Sequence, residues 1–438
     1  MAGPDVMDKL VSLTTRRGFI FQSSEIYGGT GSVWDYGPLG VELKRNLKDR
    51  WWRTMVHERD DIEGLDAAIL MHPAVWEASG HVEGFADPLV ECRNCHRRFR
   101  ADLPEVEGGQ CPTCGTRDAF SEPRMFNLMF KTFMGPVEDA AATVYLRPET
   151  AQGIYVNFLN IQGTARQRVP FGIAQIGKAF RNEITPGNFV FRTREFEQAE
   201  MQFFVKPGDD EEWFERWKAD RMAWHEGLGI RKERLRFHEH GADELAHYAK
   251  KAFDIEYEFP FGWKEFEGIH NRTDFDLARH QERSGKRLEY IDPASNERYV
   301  PYVIETSMGV DRTLLVVLVD AYREEEVDGE TRVVLGLQAR LAPIKVAVFP
   351  LVKKDGLPEL AARVHEGLRR AAIPSFYDES GAIGRRYRRQ DEIGTPWCVT
   401  VDGQTSEDGT VTIRERDSLE QVRVGADHVV AWVREGLS

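Results

Sequence analysis

The chain has 438 residues, of which 41% are hydrophobic and 30% charged, with a formal net charge of −14. That length supports two to four domains with ample buried core, and the composition excludes a largely disordered polypeptide. The longest apolar run, near Leu314 to Val319, is far too short to span a bilayer, and Met1 to Leu10 lacks the basic-then-apolar pattern of a secretory leader, so a cytoplasmic protein with no membrane partner is expected.

A helix is expected from about Leu39 to His57, where Leu43, Leu47, Trp51 and Met55 recur at helical spacing and Pro38 stands near the start, a position that tolerates proline. Ala67 to His72 reads as extended chain running into Pro73. Val90 to Phe120 has its own composition, rich in cysteine, glycine and charge and poor in apolar periodicity, as an inserted knuckle would be. From Val144 to Phe204 strands separated by turns are expected. Gly172 to Gly177 is one strand, Thr185-Pro186-Gly187-Asn188 a turn, and Phe191 to Phe196 and Met201 to Val205 return as extended chain, together an antiparallel pair. Asp209 to Gly227 is helical in pattern, and its stripe of Trp213, Phe214, Trp217, Met222 and Trp224 reads as core packing. Glu244 to Ala252 reads as another helix, Tyr302 to Glu305 as a short strand and Arg312 to Tyr322 as an apolar helix. The pattern changes at Leu341-Ala342-Pro343. Beyond it Ile344 to Phe349 and Trp397 to Val401 read as buried strands, Glu359 to Ala372 as an amphipathic helix, and Asp417 to Val422 opens a further segment, which is the alternation of a small three-layer α/β domain with a mostly parallel sheet.

Four of the 5 cysteines form Cys92-x-x-Cys95 and Cys111-x-x-Cys114. Two such pairs bring four soft thiolates within tetrahedral reach of one zinc. Unrelated buried cysteines or a redox pair are the alternatives; two units in one glycine-rich insert favour a closed, structural zinc site, with His96 a bystander and Cys398 a core residue. His238, His240 and His247 lack metalloprotease spacing and read as surface or helix-end residues.

The densest polar constellation is Arg181-Asn182-Glu183, with Arg192, Arg194, Glu195 and Glu200 beyond the turn. Guanidinium forks match phosphate oxygens bidentately, and nearby carboxylates could hold an amine, a purine amino group or magnesium. Taken alone, a surface ladder of cross-strand ion pairs explains the pattern as well. Context changes the balance. Arg181-x-Glu183, a loop and Phe191-Arg192-Thr193-Arg194-Glu195-Phe196 resemble motif two of the class II aminoacyl-tRNA synthetases. Gly309-Val310-Asp311-Arg312 resembles motif three, and the Leu39 to His57 helix followed by extended chain and Pro73 resembles motif one, which builds the dimer interface in that family. Arg147-Pro148-Glu149-Thr150-Ala151-Gln152-Gly153, Phe196-Glu197-Gln198-Ala199-Glu200, Gly262-Trp263-Lys264-Glu265, Asn271 to Leu277 and Glu305-Thr306-Ser307-Met308-Gly309 are similar to the dimeric, single-polypeptide glycyl-tRNA synthetases. The likeness runs from the Leu10 region to the C-terminal end.

The resemblance implies an α+β catalytic domain over 1–340, with an antiparallel sheet of six to seven strands flanked by helices. It places a zinc-knuckle insert at 84–122, a helical insert at 206–258 and a C-terminal α/β anticodon-binding domain at 343–438. It implies a homodimer that uses ATP and Mg2+ to convert glycine to glycyl-adenylate and passes the glycyl group to the 3′ end of tRNA-Gly, releasing AMP and pyrophosphate. Arg181 would hold the α-phosphate, Glu183 the adenine amino group, and Phe191 would stack on adenine. Arg312 and Arg272 would hold the outer phosphates, Glu265 and Phe266 would lie near ATP and its magnesium, and Asn182, Arg192, Phe196 and Gly309 would complete the nucleotide site. Glu149, Gln198, Glu200, Glu305 and Ser307 would surround glycine, with Arg100 closing the substrate end.

Adenylate formation is an in-line attack of a carboxylate on phosphorus, so positioning and charge stabilisation carry the rate and no Ser/His/Asp set is required. Glycine offers only an ammonium and two α-hydrogens, so its larger analogues must be excluded by clash near Ser307 rather than by missing attraction. On this acidic chain the best basic patch for a nucleic acid is Gly384-Arg385-Arg386-Tyr387-Arg388-Arg389-Gln390, with a solvated basic turn as the alternative. The anticodon-domain likeness is carried by Gly381 to Tyr387 and Thr412 to Arg416. A catalytically dead, nucleic-acid-binding paralogue should have lost Arg181, Glu183 or Arg312, and all three stand. A class II synthetase for threonine, proline or histidine is disfavoured by the Glu149, Glu200 and Glu305 set and by the lack of an obvious side-chain site.

Overall fold

The computed structural model describes residues 4–437 apart from 242, 247 and 328. Helix α1 (Pro38–Trp52) begins with its proline in the first turn and runs on through one π-helical turn, Arg53–His57. Its stripe of Leu43, Leu47, Trp51 and Met55 is buried in the main core. Strand β1 (Ile62–Gly64), short helix α2 (His81–Gly84) and strand β2 (Ala86–Glu91) follow, β2 forming a small sheet with Arg98–Arg100 and Arg124–Asn127.

The main sheet is then assembled from β3 (Phe171–Phe180), β4 (Glu195–Val205), helix α3 (Asp210–Gly227), β5 (Leu235–Glu239), β6 (Lys251–Phe259), β7 (Gly262–Thr273), helix α4 (Phe275–Ser284), β8 (Tyr302–Gly309) and helix α5 (Val310–Ala321). Its seven strands lie in the order β5-β6-β7-β8-β4-β3-β1, antiparallel except for β1 against β3. Strand alternation decides its two faces. On β4, Ala199, Met201, Phe203 and Val205 enter the core shared with α3 and α5, while Gln198, Glu200 and Gln202 point to the other face. In β8 the register sets Ser307 beside Glu200 and Glu305 beside Gln202. The polar face is therefore a row of carboxylates, amides and one hydroxyl on a rigid support.

Two expectations within 206–258 are corrected. The stretch contains α3, but β5 and most of β6 are strands of the main sheet, so the insert is not simply helical. The helix expected from Glu244 to Ala252 is absent: Asp243 and Glu244 lie in a turn and Lys251 opens β6. Phe253, Ile255, Tyr257 and Phe259 alternate there with Asp254, Glu256 and Glu258, the period of a half-buried strand. His247 falls outside the described residues, while His238 pairs with Glu244 at 3.2 Å and His240 with Asp254 at 2.9 Å.

Beyond a hairpin of 322–327 and 330–335, the chain forms β9 (Val346–Pro350), α6 (Leu357–Arg370), β10 (Ser375–Tyr377), α7 (Ile383–Asp391), β11 (Trp397–Val401), β12 (Thr410–Glu415), β13 (Gln421–Gly425) and α8 (Val429–Gly436). The sheet order is β10-β9-β11-β12-β13, with the first three strands parallel and the last two antiparallel. α6 and α8 cover one face and α7 packs on the other through Tyr387. The basic run is thus helix α7, not a turn, and its Arg386 is buried, donating to the carbonyls of Pro350, Asp378 and Leu351 at 2.7–3.1 Å. Cys398 is buried in this unit.

Candidate active site

Arg181 sits at the point where β3 leaves the sheet, its backbone N–H still donating to Arg194 O at 2.9 Å. Its Nε donates to Pro148 O at 3.0 Å, and its guanidinium carbon lies 5.3 Å from the ring of Phe196. The loop between β3 and β4 brings back Phe191, whose ring meets Phe259 and Phe261 edge-on, both at 5.3 Å. Arg312, in the first turn of α5, lies 4.4 Å over the Phe191 ring, donates to Phe191 O at 3.0 Å and binds Glu265 at 2.5 Å. A purine cannot fit between groups that close, so a base stacking on Phe191 must move this guanidinium. Arg312 holds the Glu265 carboxyl down at about 2. Glu183 Oε2 is buried without a hydrogen-bond partner, with Arg192 Nη1 3.9 Å away. An unpaired buried acceptor is costly, and this one suits a donor such as an amino group.

The start of α5 is anchored from behind. Asp311 accepts from Lys44 Nζ of α1 and from the Glu197 N–H of β4, both at 2.6 Å, and from the Tyr36 hydroxyl. Lys44 also reaches Glu197 at 2.7 Å. The segments likened to motifs one and three and the strand that continues motif two therefore meet at one ion cluster.

The far end of the cleft is acidic. Glu200 Oε2 contacts the Thr150 N–H at 3.1 Å and the Thr150 hydroxyl. Burial, reinforced by the Glu305 and Glu149 carboxylates, pushes Glu200 up to about 8. Burial also acts upward on Glu305, but Arg272 and His270 outweigh it and hold that group near about 2. Glu149 is likewise kept below the usual carboxylate range: burial opposes this, and His81, 3.4 Å away, and Arg272 overcome it. Glu149 takes a hydrogen bond from Gln152 Nε2 at 2.8 Å, and the same nitrogen reaches Asp276 at 3.0 Å. Gln198 Nε2 lies 3.3 Å from Ser307 Oγ, and Gln198 Oε1 is buried and unpaired.

One cleft of about 290 Å³ is lined by Arg181, Glu183, Phe191, Arg192, Phe196, Glu265, Phe266, Gly309 and Arg312 together with Glu149, Gln198, Glu200, Glu305 and Ser307. Three expected residues behave differently. Arg100 is outside it, paired with Asp102 at 2.6 and 3.0 Å and with Asp87 at 3.2 Å, so its guanidinium is already satisfied. The Asn182 side chain does not line the cleft; its backbone N–H donates to Leu128 O at 2.7 Å. Arg272 does line it, but at the acidic end: it binds Asp276 at 2.8 and 3.0 Å and Glu305 at 3.2 Å with a side chain only 4% exposed. All three of its nitrogens hold carboxylates there, which sets it at the opposite end of the cleft from Arg312. His81, Gln152, His270 and Asp276 were missed from sequence. Asp276 had a signal, an acid four residues past Arg272 at a helix start, whereas His81 and His270 had none.

The four cysteine sulfurs all lie within 4.8 Å of one another, with Cys92–Cys114 and Cys95–Cys111 separations of 3.7 Å. Thiolates on one tetrahedral zinc, each about 2.3 Å from it, sit about 3.8 Å apart. Each pair is built on the same knuckle: Cys92 N donates to Arg97 O and Cys111 N to Thr116 O, both at 2.9 Å, and the residue after each second cysteine, His96 or Gly115, has positive φ (57° and 71°).

Comparison with known proteins places this geometry. Residues 132–321 match the model described as the tRNA synthetase class II core domain (G, H, P, S and T), and residues 345–436 match the anticodon binding domain. The chain is 59% identical over 437 residues to a glycine–tRNA ligase of Treponema denticola, covering 98% of this chain and 96% of that one. It is 53% identical over 459 residues to a glycine–tRNA ligase of Thermobifida fusca, covering 100% and 99%. The chain belongs to the glycine–tRNA ligase family. A crystal structure of prolyl-tRNA synthetase from Cryptosporidium parvum shares the fold, with a TM-score of 0.67 at 13% identity over 99% of this chain and 78% of that one. The seven-stranded sheet and its cleft thus carry the class II core of a glycine–tRNA ligase family member, and the β9–β13 sheet carries its anticodon binding domain.

Proposed function

We propose that this cleft joins glycine to AMP and then hands it to tRNA-Gly. The chain is an aminoacyl-tRNA ligase whose amino acid is glycine; the assignment of roles to side chains is our own. The carrying observation is that guanidinium donors at one end and a carboxylate pit at the other line a single cavity. Arg181, Arg192 and Arg312 bind the triphosphate, and Arg181 stabilises charge at the α-phosphorus as the glycine carboxylate attacks and pyrophosphate leaves. The unpaired Glu183 Oε2 accepts the adenine amino group and Phe191 stacks the base. Magnesium arrives as the counter-ion of ATP, and half-exposed Glu265 is the carboxylate that would meet it.

Glu149, Glu200 and Glu305 hold the glycine ammonium, with Arg272, itself held by Asp276, fixing Glu305. Ser307 and Gln198 wall the α-carbon, so a methyl group clashes. Attack of the terminal ribose hydroxyl of tRNA on the glycyl carbonyl releases AMP. The anticodon-binding unit is taken to begin at Pro343, after the catalytic domain, with the partner enzyme copy meeting the α1 region in a cytoplasmic homodimer. The four cysteines would hold a structural zinc that takes no part in the chemistry; elemental analysis should find about one zinc per chain.

The test is charging of tRNA-Gly with labelled glycine. ATP-dependent charging with equimolar AMP formation is expected. No charging, or equal charging with alanine, contradicts the assignment.

A further inference from the structure

A short segment just before the cysteine knuckle touches both ends of the cleft. At its start, in α2, His81 Nε2 lies 3.4 Å from Glu149 Oε2. At its end the ring of Phe85 lies 5.3 Å from the Arg181 guanidinium carbon, equal to the distance from Phe196. Arg181 is thus steadied by two rings and one Nε hydrogen bond, the one side-chain hydrogen bond it makes among the described residues.

The segment itself is tightly held. The His81 ring packs edge-on against buried Trp76 at 5.6 Å, its Nδ1 meets Ser79 Oγ at 2.8 Å, and it lies 5.3 Å from Phe85. Asn127 Nδ2 donates to the carbonyls of His81 and Val82 at 3.1 and 3.0 Å. Leu128 N donates to Phe85 O at 2.9 Å, and Leu128 O accepts from Asn182 N at 2.7 Å. Movement of the segment would therefore reach the Arg181-Asn182 corner through backbone hydrogen bonds as well as through the ring contact.

We propose that His81–Phe85 is the positioning element common to both substrate half-sites, with Phe85 orienting Arg181 for the nucleotide and His81 orienting Glu149 for the glycine ammonium. The proposal rests on the reading of the cleft given above. A flexible arginine gains most from pre-orientation when its donors must meet a phosphate in one geometry, and an aromatic face supplies that without consuming a donor. A carboxylate in a crowded acidic pit gains in the same way from a fixed imidazole partner.

The experiment is glycine-dependent ATP–pyrophosphate exchange by Phe85→Leu and His81→Gln in the full chain, with thermal denaturation confirming that each is folded. Phe85→Leu should raise the KM for ATP about 5- to 10-fold and leave the KM for glycine within about 2-fold. His81→Gln should do the reverse. In an Arg181→Lys background Phe85→Leu should add less than about 2-fold, since its effect runs through that guanidinium. Equal rises in both constants, no change in either, or full additivity with Arg181→Lys would overturn the proposal. If Phe85→Leu does not fold, Phe85→Tyr decides: retention of the wild-type KM for ATP supports the ring contact, and a rise of about 5-fold or more contradicts it. A wild-type chain without glycine-dependent exchange overturns the reading of the cleft itself, whereas an active wild type without the crossover overturns this proposal alone.

Discussion

Arg181 and Arg192 at the nucleotide end of the cleft and the arginines of the C-terminal sheet are held in different states. In the cleft, Arg181 gives one Nε hydrogen bond to a carbonyl and Arg192 approaches Glu183 only to 3.9 Å. In the C-terminal unit, Arg414 binds Asp391 through both terminal nitrogens at 3.0 and 3.1 Å, and Arg332 reaches the same carboxylate at 2.8 Å. Arg416 there donates to Gly394 O, Leu337 O and Asp417, all at 2.7–2.9 Å. Saturated, buried guanidiniums join parts of the fold; guanidiniums with spare donors facing a cavity are available to a ligand. Residue type and spacing alone do not separate the two.

The largest expected effect tests the structural arginines. Asp391→Ala leaves buried Arg414 without its carboxylate and takes one of two from Arg332, and should cost about 3–5 kcal/mol in chemical denaturation. A loss under about 1 kcal/mol would show that the cluster is not a structural joint. Next, Arg181→Ala should cut glycine-dependent pyrophosphate exchange by about 10²- to 10³-fold while leaving the unfolding free energy within about 0.5 kcal/mol. An equal loss of stability would erase the contrast between the two regions.

How much of this was legible in the sequence follows the same line. The α1 stripe, most of the β3–β4 pair and the helix α5 were readable because hydrophobic period and turn residues are local signals, although Phe191 to Arg194, expected as extended chain, lie in the loop before β4. β6 was readable too, since Phe253, Ile255, Tyr257 and Phe259 alternate with acids, yet its first residues fall within the helix expected over Glu244 to Ala252. The two ends of the cleft were approached through family likeness, which put Arg272 with the phosphates. Its pairing with Asp276 and Glu305 depends on a strand and a helix start meeting β8, a tertiary fact with no local signature. Arg386 looked like a nucleic-acid contact for the same reason: burial is not written in residue type.

A smaller effect sharpens the acidic end. Glu200→Gln should raise the KM for glycine about 10-fold and change that for ATP far less. Because Glu200 sits near about 8 in the free cleft, it must lose a proton before it can face an ammonium as a carboxylate. Glycine affinity should therefore rise as pH increases from about 6.5 to about 8 and level off above, by up to about tenfold per pH unit. The glutamine variant should lose that dependence, and a profile unchanged by the substitution would remove Glu200 from the ammonium site. The smallest effect concerns tRNA. With Arg386 and Arg414 committed to the fold, Lys353, Lys354 and Arg385 are among the exposed cations of the C-terminal unit. Their combined replacement by alanine should raise the KM for tRNA a few-fold and flatten its salt dependence without touching pyrophosphate exchange.

The central claim is that one cavity pairs triphosphate-binding arginines with a carboxylate pit sized for the smallest amino acid. The most direct measurement is ATP–pyrophosphate exchange by the wild-type chain across glycine, alanine, serine, threonine and proline. Strong exchange with glycine and at most a few per cent of that rate with any of the others is the predicted result. Comparable exchange with alanine, or none with glycine, would contradict it.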